Sequence, residues 1–299
     1  PNRSASNIQV IASESMYNAF VLKPKIKILG GFPSTGNPNL TQRNWNTNKT
    51  ILSGDLNSDG SIRSSHVVIL AGNSSIGSSE LDGFTITKGN ASGNYTIYVN
   101  SIGIFSGHGG GIYLTNAWLT INNCTFSENN AESWGGGIYS NNSTLTVNNS
   151  LFSKNTAANG GGMYINSSSN AVLNNCTFQE NSSSNDGGGL YNNSSSPELN
   201  ACNFSKNSAV GSGGGILNFS NASPAINNCI ISENTAANGG GMYSSYGFSS
   251  MIKNSVFSGN VASVSGGGIY NSVITSPTIV NCIISGNKAE EFGGGICNN

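Results

Sequence analysis

The acidic segment at residues 55–60 carries the clearest chemical signal in the chain. Its sequence, Asp-Leu-Asn-Ser-Asp-Gly, places oxygen-bearing side chains at Asp55, Asn57 and Asp59 and a glycine at the sixth position. This spacing matches the first half of a calcium-binding loop. The twelfth position is His66, where such a loop has a bidentate glutamate, and segments of this composition also form Asx turns between strands. The segment therefore predicts either a structural calcium site or a simple turn, and we expect no other cofactor.

Carboxylates suited to acid–base catalysis are few and scattered. The four aspartates are Asp55, Asp59, Asp82 and Asp186. Polysaccharide lyases and glycosidases need clustered acidic side chains, in many cases with a basic residue beside them. Asp55 and Asp82 with Lys88, in the N-terminal loops, are the combination that comes nearest to this requirement. We predict a protein without catalytic residues and keep a polysaccharide-degrading site in these loops as the alternative.

Tyrosine recurs at one position of a repeated pattern, directly after three glycines and an aliphatic residue. If the aliphatic side chain points into a core, the next side chain along an extended strand points outward. An outward row of tyrosines suits stacking on sugars or contact with a protein partner, although stacked tyrosines also stabilise a strand surface by themselves. The candidate ligand-binding residues are Tyr113, Tyr139, Tyr164, Tyr191, Tyr243 and Tyr270.

These tyrosines belong to a unit of about 26 residues that fills most of the chain. Each unit begins with three glycines and closes on an F/I-x-x-N signal, and a period this regular is typical of a solenoid. Apolar residues alternate with polar ones between clusters of Asn, Ser and Gly, which indicates short strands and turns. We predict an all-β fold, a parallel β-helix in the form of a single-stranded solenoid with three short strands per coil.

Stacked coils require that equivalent residues tolerate lying on one another. A position with only Cys or Ser predicts an interior ladder of small side chains with free thiols at Cys124, Cys176, Cys202, Cys229 and Cys282. The closing asparagines predict an inward amide ladder at a corner: Asn129, Asn155, Asn181, Asn207, Asn234, Asn260 and Asn287. The preceding position alternates in charge, as expected for side chains that neighbour one another: Glu128, Lys154, Glu180, Lys206 and Glu233.

The chain divides into two parts by its regularity. We predict that residues 1–108 form an N-terminal cap and irregular first coils with loop insertions, one of which, residues 33–48, carries Trp45, while residues 92–108 form a second loop. Residues 109–299 are predicted to form seven full coils and the start of an eighth. This end lacks a cap, so we expect the natural chain to continue or a second copy to cover it.

Composition excludes two classes of partner. Charged residues make up 8% of the chain and the net charge is −1, which leaves no electrostatic footprint for nucleic acid. There is no run of about 20 apolar residues that could span a bilayer as a helix, so we expect no membrane insertion by this segment.

The repeat resembles a known family. The pairing of GGGI with FxxN is similar to the GGA-I/L/V and FxxN motifs of the chlamydial polymorphic outer membrane proteins, with Gly here where that motif has Ala. Segments such as FVLKPKIKILGGF and LDGFTITKGNA also resemble bacterial secreted right-handed parallel β-helix repeat proteins. The resemblance implies a right-handed coil, secretion or an outer-membrane-associated cell-surface location, and an adhesin-like or structural role.

Together these patterns predict a non-catalytic, secreted or cell-surface β-helix that serves as an adhesin-like binding or structural stalk module of a larger surface protein. Its partners would be a surface glycan or protein, with homotypic association end to end or side by side. Two alternatives remain open at this point: a carbohydrate-active enzyme with its site in the N-terminal loops, and a self-assembling extracellular fibre or sheath subunit.

Overall fold

The computed structural model describes residues 8–9, 18–57, 60, 62–72, 77–167, 169–246 and 250–299. Within these ranges the chain consists of short β-strands joined by turns, with one 3-10 helix at Leu40–Gln42. Strands of successive coils pair in parallel and in register, so the prediction of an all-β parallel solenoid is confirmed.

Four sheets run along the stack, each with one strand per regular coil. Sheet 1 follows the glycine triplets and contains Ile8–Gln9, Phe20–Leu22, Val68–Ala71, Ile112–Thr115, Ile138–Asn141, Met163–Asn166, Leu190–Asn193, Ile216–Phe219, Met242–Ser245, Ile269–Asn271 and Ile296–Asn298. Sheet 2 contains Lys27–Leu29, Ser79–Asp82, Trp118–Asn122, Thr144–Asn148, Asn170–Asn174, Glu198–Asn200, Ala225–Asn227, Met251–Lys253 and Thr278–Val280.

Sheet 3 carries the Phe or Ile of each F/I-x-x-N signal, and sheet 4 follows the asparagine of that signal. Sheet 3 contains Thr50–Ser53, Phe84–Thr87, Thr125–Ser127, Leu151–Ser153, Thr177–Gln179, Asn203–Ser205, Ile230–Ser232, Val256–Ser258 and Ile283–Ser285. Sheet 4 contains Asn90–Ala91, Asn130–Trp134, Thr156–Asn159, Ser182–Asp186, Ser208–Ala209, Thr235–Asn238, Val261–Ser265 and Lys288–Ala289. Sheet 4 adds a fourth strand to the three predicted per coil. Its inward side chains are mostly Ala, so its sequence lacks the strong apolar alternation of the other strands.

The core consists of columns of identical or similar side chains. Phe126, Phe152, Phe178 and Phe204 are fully buried, and adjacent rings stack with centroids 4.5–4.7 Å apart. This spacing is that of neighbouring strands in a sheet, about 4.8 Å. The predicted small-residue column is also interior: Cys124, Cys176, Cys202 and Cys229 are buried free thiols and Cys282 is half-buried. Burial raises the pKa of the Cys124 thiol to about 12, which disfavours the reactive thiolate.

The closing asparagines form a continuous amide ladder inside the corner between sheets 3 and 4. Asn181 illustrates the pattern: its Oδ1 accepts from the backbone N–H and the Nδ2 of Asn155, at 3.1 and 2.9 Å. Its Nδ2 donates to the backbone carbonyl of Phe152 at 2.9 Å and to Oδ1 of Asn207 at 2.9 Å. Each buried amide therefore satisfies its own polar atoms and those of the adjacent coils.

The alternating charges outside the same corner pair as expected. Lys154 lies 3.9 Å from Glu180, and Lys206 lies 3.8 Å from Glu233. These side chains are largely exposed, so each pair contributes at most about 1 kcal/mol.

The buried amide ladder yields a stability prediction. Replacing Asn181 with Leu removes the acceptor of two buried N–H groups of Asn155. Each unsatisfied buried donor costs about 1–3 kcal/mol, so we expect the free energy of unfolding in urea to fall by about 3 kcal/mol. Asn148 is the control, because it forms an amide ladder with Asn122 and Asn174 on the outer face where water replaces lost bonds. Equal losses for Asn148→Leu and Asn181→Leu would contradict the argument.

Candidate functional site: a cleft beside Trp45

A cleft of about 420 Å³ runs along the outer corner between sheets 2 and 3. It crosses four successive coils and is walled at its N-terminal end by the loop of residues 33–48, which projects beside the first coil. Its lining consists of Trp45, Asn46, Lys49, Gly83, Phe84, Thr85, Asn123, Cys124, Thr125, Asn149, Ser150, Leu151, Asn175 and Thr177. The cleft is therefore an elongated polar groove with one indole at its end.

Arg43 attaches the loop of residues 33–48, which carries Trp45 and forms the wall of the cleft, to the coil beneath it. Its guanidinium donates to Oδ2 of Asp82 at 2.7 Å, to the carbonyl of Asp82 at 2.7 Å and to the carbonyl of Gly30 at 2.5 Å. The same guanidinium lies 5.2 Å from the centre of the Trp45 ring. Both charged side chains are only 11% exposed, so this ion pair is poorly screened. The loop is thus held as a rigid wall before any ligand arrives.

Asp82 links this wall to the floor of the cleft. Its Oδ1 accepts a hydrogen bond of 2.9 Å from Nδ2 of Asn123. Burial alone would raise the pKa of the Asp82 carboxyl, but the hydrogen bonds from Arg43 and Asn123 outweigh it and lower the pKa. Asp82 therefore stays ionised and orients the Asn123 amide.

The floor of the cleft is one row of equivalent positions. Asn123, Asn149 and Asn175 each precede the interior Cys or Ser of their coil, and all three have φ between +51° and +52°. Asparagine tolerates this left-handed conformation better than most residues, which explains its recurrence. Asn175 donates through Nδ2 to Oδ1 of Asn149 at 2.9 Å. Gly83 holds the same position one coil earlier, where the absence of a side chain leaves space for Trp45 and Arg43.

The sequence contained a signal for this floor that we did not use. In the segments INNCTF, VNNSLF and LNNCTF, the residue before the interior Cys or Ser must lie at a corner on the outside. The recurring second asparagine could therefore have been identified as a surface row. The proximity of this asparagine row to Trp45 could not have been predicted, because the path of the 33–48 loop depends on the long-range contacts of Arg43.

A family comparison agrees with this architecture. The family model for the right handed beta helix region matches residues 40–211 and also residues 110–284, which together span most of the chain. The chain belongs to the right-handed β-helix family. No curated protein and no solved structure matches it. In the described part of this β-helix, no helix is long and apolar enough to cross a membrane.

The predicted calcium segment is closed by hydrogen bonds from backbone N–H groups to side-chain oxygens in its described part. Oδ1 of Asp55 accepts from the backbone N–H of Gly60 at 3.1 Å, and Oδ1 of Asn57 accepts from the backbone N–H of Ile62 at 3.3 Å. Asp59 lies outside the described residues. No group of three acidic, histidine or cysteine side chains among the described residues of this β-helix is placed to hold a metal. Both hydrogen bonds span five residues, whereas an Asx turn joins a side chain to the backbone two residues further on. The calcium site at Asp55, Asn57 and Asp59 stays a prediction.

The alternative catalytic residues are held in separate ion pairs. Asp55 lies 3.2 Å from Nζ of Lys88, and its side chain is 6% exposed. Asp82 is bound by Arg43 as described above. Each of these two carboxylates is thus engaged by a cation of its own.

The structure corrects the expectation of six tyrosines open to a ligand. Residues 92–108 were expected to form a loop, but they contain an antiparallel hairpin of Thr96–Val99 and Ile102–Phe105 that packs on the outer face of sheet 1. Tyr113, Tyr139 and Tyr164 lie in this hydrophobic cluster and are each at most 5% exposed. The hairpin covers apolar side chains that would otherwise face water on the first coils, and burial raises the pKa of Tyr139 and Tyr164.

The remaining tyrosines are half-buried and cover one another. Tyr191 stacks on Tyr164 at 4.7 Å, and Tyr270 stacks on Tyr243 at 5.1 Å with ring planes 7° apart. Leu217 takes the position between these pairs and is 2% exposed. Because the ring faces lie against neighbouring rings, this row offers edges and hydroxyls to the solvent and little face area on which a sugar could stack.

Two buried histidines lie near the docked hairpin, and His108 contacts it directly. The His108 ring lies 4.6 Å from the Phe105 ring and 4.3 Å from the Trp134 ring, between the hairpin and the next coil. Nδ1 of His66 is 3.1 Å from the carbonyl oxygen of Gly109, to which it donates. Burial lowers the pKa of both histidines to about 4. Both side chains are therefore neutral in the docked state at neutral pH.

This cluster predicts a loss of stability in mild acid. The ordinary pKa of histidine is 6.5 and the folded value is about 4 for both residues, so their contribution is fully present above pH 6.5 and declines as the pH falls toward 4. Within that window each histidine lowers the free energy of unfolding by about 1.4 kcal/mol for every pH unit by which the pH falls. We expect the urea midpoint to fall between pH 7 and pH 5. His108→Phe keeps a packed ring and should halve the decline, and an unchanged decline would show that other groups cause it.

Proposed function

We propose that this right-handed β-helix is a non-catalytic glycan-binding module of an adhesin-like surface protein. The observation that carries the proposal is the cleft beside Trp45, which combines a fixed indole with a row of amides and hydroxyls. Sugars present both apolar C–H faces and many hydroxyls, so they match a site of this composition.

The composition of the cleft favours binding over catalysis. Among the described residues that line the cleft, Lys49 is the one charged residue and none is a carboxylate. Hydrolysis or elimination at a glycosidic bond needs an acid and a base at the reacting atoms. The nearby Asp82 is turned to Arg43 and Asn123 and supports the wall and floor of the cleft. A polysaccharide-degrading activity would need residues from elsewhere.

The architecture supports a role as a rigid spacer as well. A stack of hydrogen-bonded coils holds the N-terminal cleft at a fixed distance from the C-terminal coils, as a stalk would. The resemblance of the GGGI and FxxN motifs to the chlamydial polymorphic outer membrane proteins supports a secreted or outer-membrane-associated location. We place the protein, on this ground, at the bacterial cell surface with a glycan as its partner.

Trp45 provides the direct test of glycan binding. We expect the purified chain to bind a subset of glycans on an array with no release of sugar products, and Trp45→Ala to weaken this binding at least tenfold. Loss of one aromatic stacking contact explains part of this effect and loss of the wall explains the rest. Addition of EDTA should leave the binding unchanged.

Trp118 is the matched control for this substitution. It is 40% exposed on the outer face of sheet 2 and does not line the cleft. Trp118→Ala should therefore bind glycans like the unmodified chain. Equal losses for the two variants, release of sugar products, or the absence of binding to any glycan would each overturn the proposed function.

Lys49 predicts a preference for acidic sugars. A lone ammonium among neutral amides attracts a carboxylate or sulfate on the ligand, and this attraction is screened by salt. We expect acidic glycans to bind more tightly than neutral glycans of equal length at low ionic strength. The difference should shrink in 0.5 M sodium chloride and disappear in Lys49→Gln, while neutral glycans bind both proteins alike.

A further inference from the structure

The hairpin over sheet 1 is attached to the solenoid differently from the coils. Among the described strands, Thr96–Val99 and Ile102–Phe105 form a two-stranded sheet of their own and join none of the four sheets of the stack. Side-chain packing holds the hairpin in place, with Val99 and Ile104 buried against sheet 1. A two-stranded hairpin is at best marginally stable by itself in water. It therefore depends on docking for its structure, whereas the coils do not need it for their hydrogen-bonded ladders.

Glycines flank the hairpin on both sides. Gly93 precedes it with φ of +92°, and Gly109 follows it with φ of +68°. Such residues absorb a change of backbone angles at low cost, as hinges do. Ser106 closes the base of the hairpin, because its Oγ donates to the carbonyl of Gly93 at 2.9 Å and accepts from the backbone N–H of Tyr95 at 3.2 Å. The hairpin is thus one closed unit between two hinges.

His108 lies between the hairpin and the coils. The centre of its ring is 4.6 Å from that of Phe105 in the hairpin, 4.3 Å from that of Trp134 and 4.8 Å from that of Tyr139. Its Nδ1 is buried and has no hydrogen-bond partner within the described ranges. A protonated imidazole needs an acceptor at both ring nitrogens. The aromatic faces attract a cation by about 0.5–2 kcal/mol, but they leave this N–H unsatisfied.

The ionisable groups around His108 do not compensate a charge on its ring. His66 also has a buried ring nitrogen, Nε2, without a partner, and a charge there would repel one on His108. Burial raises the pKa of Tyr113 and Tyr139, so both phenols are neutral in acid. Glu132 accepts from the backbone N–H of Gly93 at 2.7 Å, at the exposed base of the hairpin. The ion pairs of the described chain include neither histidine.

We propose that the 96–105 hairpin is an acid-released cover, which protonation of His108 lifts from the outer face of sheet 1. The tyrosines beneath it are each at most 5% exposed in the docked state. Lifting the cover exposes an aromatic surface made of Tyr113, Tyr139, Tyr164 and Trp134. This surface is separate from the cleft beside Trp45, so the proposal does not depend on glycan binding there.

Hydrogen exchange measures the opening. The pKa of His108 is about 4 in the docked state and returns to the ordinary 6.5 once the ring meets water. The ratio of open to docked molecules therefore rises about 20-fold between pH 7 and pH 5. We expect the protection of the amides of residues 96–105, corrected for the intrinsic effect of pH on exchange, to fall by this factor. Unchanged protection would overturn the proposal.

Low concentrations of urea distinguish undocking from unfolding. Undocking exposes much less surface than unfolding of the coils, so the exchange of the hairpin amides at pH 5 should depend only weakly on urea. The strand Thr125–Ser127, in the core beneath, should depend on urea steeply. An equally steep dependence for the hairpin would show that it is lost only when the coils unfold, and would overturn the proposal.

Two substitutions identify the group that titrates. His108→Phe keeps a packed ring that cannot be protonated, so the hairpin amides should lose the 20-fold response to pH. Glu132→Gln is the matched control, because it removes a nearby charge and keeps an acceptor for the N–H of Gly93. It should respond to pH like the unmodified chain. A response that persists in His108→Phe, or that disappears in Glu132→Gln, would contradict the assignment to His108.

Hydroxyl-radical labelling tests whether the surface is uncovered. Labelling of Tyr139 and Tyr164 should increase between pH 7 and pH 5 together with the loss of protection in the hairpin. Tyr270 is the control, because it lies on the same face in a coil that the hairpin does not cover. Its labelling should stay constant. Loss of amide protection without increased labelling of Tyr139 and Tyr164 would show that the hairpin frays in place, and the cover would be disproved.

Discussion

In-register stacking is the constraint on which the rest of this molecule depends. Because each strand pairs with its own equivalent in the next coil, every side chain lies about 4.8 Å from a counterpart of the same position. Residue types that repel a copy of themselves in the next coil do not recur at one position of the repeat. Residue types that are stabilised by such a copy do recur. The buried phenylalanine column, the amide ladder through Asn181 and the alternation of Lys154 with Glu180 are three solutions to the same condition. Stability comes from neighbouring coils, so no long-range hydrophobic centre is needed.

The functional features arise where the repeat is broken. The 33–48 loop is inserted between the first strands of sheets 2 and 3, and the 96–105 hairpin is inserted between a sheet 4 strand and the next sheet 1 strand. Each covers a different outer surface of the first coils. The loop creates a cleft by standing over the corner row at Gly83. The hairpin closes off sheet 1 and buries Tyr113 and Tyr139. The regular coils thus supply repeated groups at fixed intervals, and the insertions determine which of those groups a ligand can reach.

The repeat could be predicted from the sequence because its period is imposed locally in every coil. The interior positions of Cys202 and Asn207, and the pairing of Lys206 with Glu233, follow from that period alone. The fourth strand was missed because its inward residue, such as Ala157, is too small to produce an apolar pattern. The outward tyrosines were identified, but their burial depends on a hairpin whose docking involves His108 and Trp134, more than 25 residues apart. The Arg43–Asp82 pair that builds the cleft joins two coils and has no periodic signal.

The near-identity of successive coils has a consequence for how such a protein can vary. Each regular coil contacts neighbours that present nearly the same surface, so the loss or duplication of a whole unit would leave new neighbours that fit. Unequal recombination between the repeated DNA segments could therefore lengthen or shorten the molecule in steps of one coil. Events beyond Asn203 would leave the Trp45 cleft untouched. The gene could in this way change the length of the solenoid without altering the cleft.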